Sequence, residues 1–136
     1  MSNFALIAHG ARFDVDEYVV SAPIFFDEVW RVGERHHLTS GVRKELGDGR
    51  PLSQPEQERI AIEYLAANRE ALAALARFPG VTAFLLGFDV VIEASEGLVG
   101  FAVCASPRLM AHALAVGVEP TFYIRLARPW SAGRDG

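Results

Sequence analysis

Apolar residues recur at helical spacing in one long segment of the chain. Between residues 53 and 77 a single stripe, apolar except for Asn68, has intervals of four, three, four and three, at Ala61, Leu65, Asn68, Leu72 and Leu75. The segment opens with Ser53-Gln54-Pro55-Glu56, which has the spacing of a capping box with proline in the first turn. Phe78-Pro79-Gly80 follows it. The pattern therefore predicts one continuous helix that ends near Arg77.

Two further helices are predicted from their caps. Asp14 and Glu17 have the spacing of a capping box, and Pro23 ends the short helix that follows. Ser106-Pro107 begins a second helix, which Gly117 ends as a left-handed C-terminal cap. In this second helix we expect four side chains to face the core: Leu109, Met110, Ala113 and Leu114.

Apolar and alternating runs predict the strands, over residues 4–9, within 29–39, and over 81–93, 98–104 and 122–126. The even positions of 81–93 are wholly apolar, so we expect them to meet the helices. From residue 29 the order is β-α-β-β-α-β, which predicts an α+β fold with a ferredoxin-like split sheet and helices on one face. An extra N-terminal β-α unit precedes it. We expect one domain over 1–128 and a flexible tail over 129–136.

Composition narrows the class of protein. The chain has 136 residues, is 51% hydrophobic and carries a net charge of −4, which argues against a nucleic-acid partner. Its single cysteine, Cys104, excludes an internal disulfide and suits a reducing compartment. We find neither a signal-peptide pattern nor an apolar run long enough to span a membrane. The expected location is therefore cytoplasmic, without a membrane partner.

Four short features, in this order, carry a family resemblance: Phe13 to Glu17 after the first strand, the turn from Trp30 to Glu34, the long helix leading into Gly80-Val81, and the pattern from Ser106 to Tyr123. Together they resemble an uncharacterised bacterial domain family that is similar to small immunity-type proteins. That family has no assigned activity. The resemblance implies a small cytosolic protein that binds a partner, and it supplies no catalytic residue.

Asp89 interrupts an otherwise hydrophobic strand. A carboxylate there costs free energy unless it is hydrated or paired. Glu93 shares its face but lies roughly 13 Å along the strand, too far for two carboxylates to act on one bond. One interpretation is an open sheet face, where Asp89 meets water or an arginine such as Arg125. The other is a ligand or partner site on that face.

Residues 31–50 form the basic part of the chain, and they include Arg31, Arg35 and His37. These side chains could bind an anion or an acidic protein surface, or they could belong to a solvated loop. Trp30 suits either the core or an interface, and Trp130 is a candidate contact with another chain. On a strand, His36 and His37 would point to opposite sides and could not easily bind one ion together, so we predict no metal site. The alternative is a metal site formed by His9, one of these two histidines and an acidic residue.

These observations predict a non-enzymatic binding or interaction domain, of immunity type, with neither cofactor nor metal. Its partner would be another protein or a second copy of the chain in a homodimer. The alternative is a small-molecule sensor or an enzyme, with a pocket on the open sheet face that uses Asp89, His9 or His37. The predicted binding residues are Asp89, Trp30, Arg31, Arg35, His37 and Arg125.

Overall fold

The computed structural model describes residues 2–93 and 103–127. Within these residues the strands are β1 (Ala5–Gly10), β2 (Glu28–Trp30), β3 (Ser40–Glu45), β4 (Ala83–Glu93) and β5 (Glu119–Ala127). The helices are α1 (Val15–Ser21), α2 (Gln54–Ala67), α3 (Arg69–Ala76) and α4 (Pro107–Val116), with one 3₁₀ turn at Glu34–His36. The predicted tail over 129–136 and Trp130 lie outside the described residues.

The strands form one mixed sheet in the order β2-β3-β1-β4-β5. β1 is central and pairs antiparallel with both β3 and β4, whereas β4 and β5 run parallel. The α+β class is therefore confirmed. In a ferredoxin-like order, the strand predicted over 81–93 and the last strand would lie at opposite edges of the sheet. Here they are neighbours, so the strand order does not confirm the ferredoxin-like topology.

The first strand is the physical reason for this difference. It was expected to precede the sheet motif as an additional unit, but its buried residues place it at the centre of the sheet. A central strand needs partners on both edges, and β3 and β4 fill these positions. The predicted hairpin strand over 98–104 lies mostly outside the described residues, and Val103 and Cys104 are not in a strand.

One face of the sheet carries the hydrophobic core. Phe4, immediately before β1, Phe88 of β4 and Phe122 of β5 stack in a row, with ring centroids 5.6 and 5.3 Å apart. Every strand residue of the core cluster lies on this face, together with buried side chains of all four helices. The opposite face, here called the open face, consists of the odd positions of β1, β3, β4 and β5 and of Glu28 and Trp30 on β2.

The predicted helix caps are confirmed. Asp14 accepts a hydrogen bond from the Glu17 amide at the start of α1, and Ser53 and Glu56 form the reciprocal capping box of α2. Ser106 caps α4, and Gly117 ends it at φ 84°. The prediction that Met110 and Leu114 face the core was wrong, because Leu114 is 82% exposed and Val116 is buried in its place.

The prediction of one continuous helix over 53–77 was also wrong, because Asn68 separates α2 from α3 with φ −119° and ψ 27°. Both its backbone N–H and its side-chain amide donate to the Tyr64 carbonyl, each at 3.0 Å. An asparagine side chain that competes for a backbone carbonyl in this way weakens the continuation of a helix. The apolar stripe continues across the break because Leu72 and Leu75 are buried like Leu65.

Tyr18 gives a prediction about pH. Its ring packs among Phe13, Phe26 and Phe78, and its hydroxyl has no hydrogen-bond partner among the described residues. Burial, and to a smaller extent nearby Tyr64, raises the pKa of Tyr18 to about 12. Because this pKa lies above the ordinary value of 10.0, the neutral phenol stabilises the fold fully below pH 10, and that contribution is lost as the pH rises toward 12.

We therefore expect Tyr18→Phe to reduce the loss of unfolding free energy between about pH 10 and pH 12. At neutral pH the variant should be as stable as the parent protein or more stable by up to about 1 kcal/mol, since it removes a buried, unpaired hydroxyl. Denaturation series at several pH values measure both effects. A clear loss of stability at neutral pH would show that the hydroxyl has a partner.

Candidate functional site

A cleft forms where β4 extends beyond β1. β4 pairs with β1 only from Ala83 to Gly87, whereas its pairing with β5 continues to Glu93. Beyond Gly87, the edge of β4 that faces β1 has no strand partner among the described residues. The cleft has a volume of about 850 Å³ and is lined by residues 2–4, Gly47, residues 49–54, Gln57, residues 89–91, Glu93 and Arg125.

Gln57 of α2 closes the inner end of this cleft. Its side chain is 2% exposed, and its carboxamide bonds both backbone groups of Asp89: Oε1 accepts from the N–H at 2.9 Å, and Nε2 donates to the carbonyl at 2.7 Å. Nε2 also donates to the Leu52 carbonyl at 3.0 Å. The side chain thus supplies the two hydrogen bonds that a neighbouring strand would supply. Asp89 lies beyond the first residue of β1, so β1 itself cannot supply them.

The carboxylate of Asp89 points into the same region. Its Oδ2 accepts a hydrogen bond from the backbone N–H of Asn3 at 3.0 Å. Arg125 is aligned with Val91 in the β4–β5 register, so it shares the open face with Asp89 and Glu93. No ion pair within 4.0 Å joins Asp89 to Arg125. The structure therefore brings two of the predicted site residues together in one cleft without neutralising them against each other.

Trp30 and His37 form a second group at the other side of the open face. Their ring centroids are 5.9 Å apart, and the Trp30 ring lies over Gly41, where a Cβ atom would meet Cζ2 at 2.3 Å. Both side chains are half-buried. β3 and β1 separate this group from the cleft at β4. The predicted site residues therefore do not all meet in one place.

Arg31 is already paired within the protein. Its Nε and Nη2 atoms both donate to the Asp16 carboxylate of α1, at 3.0 and 2.6 Å. This hydrogen bonding lowers the pKa of Asp16 below its ordinary value. Arg35 is exposed, in the 3₁₀ turn, and both Arg35 and His36 adopt positive φ values, 48° and 65°. Such backbone conformations are uncommon outside glycine and cost free energy.

Buried Arg43, one of the basic residues within 31–50, crosses the open face between the two groups. It donates to Glu45 at 2.7 Å and to the Ser2 carbonyl, and it lies 3.8 Å from Glu28. The sequence did not point to Gln57, although its position carried a signal. It lies four residues before Ala61 and so extends the buried stripe of α2 by one turn. A glutamine in such a stripe is buried only where its amide is fully bonded.

Neither a metal site nor a spanning helix is found within residues 2–93 and 103–127. No three side chains of histidine, cysteine, aspartate or glutamate converge there in a way that could hold an ion, so the alternative cluster around His9 is not assembled by these residues. His9 Nδ1 is buried without a hydrogen-bond partner among them. None of the described helices has the length and apolar character to cross a membrane.

Comparison with known proteins finds no matching family model, no matching curated relative and no matching solved structure. The similarity to bacterial immunity-type proteins therefore stays a prediction that rests on the short motifs given above.

Proposed function

We propose that this protein is a non-enzymatic interaction domain that binds a protein partner through the open face of its sheet. The observation that carries this proposal is the asymmetry of the sheet, because every strand residue of the core cluster lies on one face and none of the described helices packs on the other. An uncovered face with exposed Val91 and Tyr123 is typical of a surface that a partner covers.

The chemistry of the open face supports a protein partner. The rings of Trp30 and Tyr123 lie over Gly41 and Gly87, so each strand carries an aromatic ring on the open face. Tryptophan and tyrosine are enriched among the residues that dominate the free energy of protein interfaces. Between and beside them lie charged groups of both signs, so the face favours a partner with a mixed polar and apolar surface.

An immunity-type role in the cytoplasm agrees with this mechanism. A protein that acts by covering a partner needs shape and charge complementarity and no reactive centre. Arg35 remains an exposed cation in the loop after β2, whereas Arg31 is bonded to Asp16. Of the two, Arg35 is therefore the better candidate for an acidic partner surface.

The cleft favours a second candidate function. Its volume of about 850 Å³ lies within the range of small-molecule sites, and Asp89 and Arg125 offer opposite charges to one ligand. In this case the protein would be a small-molecule sensor. Native mass spectrometry of protein purified without chelator tests this candidate, because a stoichiometric adduct that is lost in Asp89→Asn would support a sensor.

Site-specific photo-crosslinking tests the interaction domain. A photoreactive amino acid at Tyr123 should give one discrete protein adduct in the native host cells, whereas the same residue at Leu114 of α4, which is also exposed, should not. The affinity of the purified partner for Trp30→Ala should then be about tenfold lower than for the parent protein. Loss of a residue that dominates an interface has an effect of this size. Leu114→Ala is the matched control, with unchanged affinity.

Two results would overturn the interaction domain. Equal adducts from Tyr123 and Leu114 would show that the open face is not the binding surface. A stoichiometric small-molecule adduct together with no adduct from Tyr123 would favour the sensor. Circular dichroism of each variant shows whether a lost interaction reflects the surface or the fold.

A further inference from the structure

The two edges of the sheet differ in length and character. β2, at one edge, has three residues, whereas β5, at the other, has nine. Several apolar side chains of β5 are exposed: Tyr123 at 38%, Ile124 at 45% and Leu126 at 57%. Between Pro120 and Ala127 its only charged residue is Arg125. Long apolar edges with few charges are the ones that pair with another chain.

The hydrogen bonds of Gln57 establish which backbone groups of β5 face outward. Because Gln57 bonds both the N–H and the carbonyl of Asp89 on the β1 side, the odd residues of β4 direct their backbone groups toward β1 and the even residues direct theirs toward β5. In the parallel register Phe88 is aligned with Phe122, and aligned residues in a parallel pair point in the same direction across the sheet. The even residues of β5 therefore present their backbone groups at the outer edge, which no described strand covers.

Pro120 agrees with this assignment. It is an even residue, so the position where it lacks an N–H faces outward and costs no hydrogen bond to β4. It also limits the part of the edge that another strand can use. From Phe122 onward, the outward residues Phe122, Ile124 and Leu126 each offer both an N–H and a carbonyl.

We propose that a second copy of this chain pairs antiparallel with β5, with the twofold axis at Ile124. In this register Ile124 lies opposite Ile124 of the second copy, and Phe122 lies opposite its Leu126. All three outward residues then exchange both backbone hydrogen bonds, and the two sheets become one continuous sheet.

The side chains support this register on both faces. On the core face, each exposed apolar side chain of β5 meets an apolar side chain of the second copy. On the open face, Tyr123 lies opposite Arg125 of the second copy, where a guanidinium and an aromatic ring attract each other. A twofold axis at Phe122 would instead place Pro120 opposite Ile124, at a position that requires an N–H. The strand is thus complementary to itself in one register.

The contact is small compared with the interfaces of permanent dimers. A single strand edge buries less than the roughly 1,200 Å² at which stable interfaces begin. We therefore expect a monomer–dimer equilibrium that depends on concentration. Sedimentation velocity should show the dimer fraction rise over the micromolar range and disappear in Ile124→Lys, which places two like charges at the axis. Leu114→Lys, an equally exposed apolar position on α4, should leave the equilibrium unchanged.

Cysteine cross-linking tests the register. In a Cys104→Ser background, which removes the exposed native thiol, Ile124→Cys places two thiols at the axis with Cα atoms about 5.5 Å apart, within reach of a disulfide. In the matched variant Leu126→Cys the two copies of residue 126 are four positions apart, roughly 14 Å, and beyond that reach. Mild oxidation should therefore give a covalent dimer from Ile124→Cys and monomer from Leu126→Cys.

Several outcomes would overturn the proposal. These are a protein that stays monomeric at every concentration, a dimer that Ile124→Lys leaves unchanged, and equal cross-linking from both cysteine variants. If the protein is a monomer and still gives a protein adduct from Tyr123, the pairing of two copies at β5 is wrong, but the proposed interaction domain stands. A dimer with the expected cross-link, in which the photoreactive residue at Tyr123 captures the second copy and no other protein, would overturn the interaction domain and leave the dimer in place.

Discussion

Replacing Gln57 with leucine is expected to lower the free energy of unfolding by about 3 kcal/mol. The substitution introduces an apolar side chain of similar size into the stripe of α2, but it removes all three hydrogen bonds of the carboxamide. The N–H and carbonyl of Asp89 and the carbonyl of Leu52 then lose their partner at a position where β1 offers no replacement. Chemical denaturation measures the loss.

Gln54→Leu is the matched control for this prediction. Gln54 lies one turn earlier on the same helix, is partly exposed, and its side chain makes one long hydrogen bond of 3.5 Å to Glu58. We expect its stability to change by less than about 0.5 kcal/mol. Hydrogen exchange should also show faster exchange at residues 88–93 in Gln57→Leu than in Gln54→Leu. Equal stabilities of the two variants would show that Gln57 does not act as a substitute strand.

Gly80→Ala is expected to destabilise the protein by at least about 3 kcal/mol. Gly80 has φ 91°, which a residue with a Cβ atom rarely adopts, and an added Cβ would lie 2.2 Å from the carbonyl oxygen of Arg12. That neighbour is backbone, so it cannot move away as a flexible side chain would. The change therefore combines conformational strain with a displacement of the chain between β1 and α1.

Gly49→Ala separates these two contributions. Gly49 has nearly the same φ, 92°, but nothing lies within 4 Å of an added Cβ. Gly49→Ala should therefore lower the free energy of unfolding only by the contribution of backbone conformation, about 1–2 kcal/mol. Thermal and chemical denaturation of both variants give the difference. If the two costs are equal, the close approach of Arg12 to Gly80 contributes nothing to the loss.

The helix ends were predictable because their signals are local. Asp14, Ser53 and Ser106 bond amides only three residues away, so the spacing of a few residues contains the whole interaction. Pro107 and Gly117 act in the same way through their own backbone. The break at Asn68 was not predicted, because a buried stripe has the same period on both sides of it.

The strands were less predictable because their pairing depends on distant residues. β3 was not predicted, since Ser40-Gly41 and the charged Arg43, Lys44 and Glu45 do not form an apolar or alternating run. It is a strand because β1 and β2 bond its two edges and because Arg43 finds Glu45 and Ser2. These partners are far apart in the chain, and no local pattern shows them.

In the candidate site, too, local features were predictable from the sequence and contacts between distant residues were not. The sequence alone showed that Asp89 is unusual, since a carboxylate in an apolar strand requires an explanation wherever the strand lies. It also indicated Arg125 as a possible partner, and the parallel register places Arg125 on the same face, aligned with Val91. It did not show that Asn3 and Gln57 hold this segment. For Arg31 the sequence indicated a free cation, whereas Asp16 of α1 bonds it in the fold.

Local chemistry in the sequence thus determined the class of the fold, the caps of the helices, the apolar face of β4 and the residue Asp89. Only the tertiary structure decided that β1 is central, that β4 extends beyond it to form a cleft, and that the apolar edge of β5 is free of a described strand. The reason is physical. Caps and periodicity are interactions over three or four residues, whereas strand order is chosen by the burial of the whole sheet.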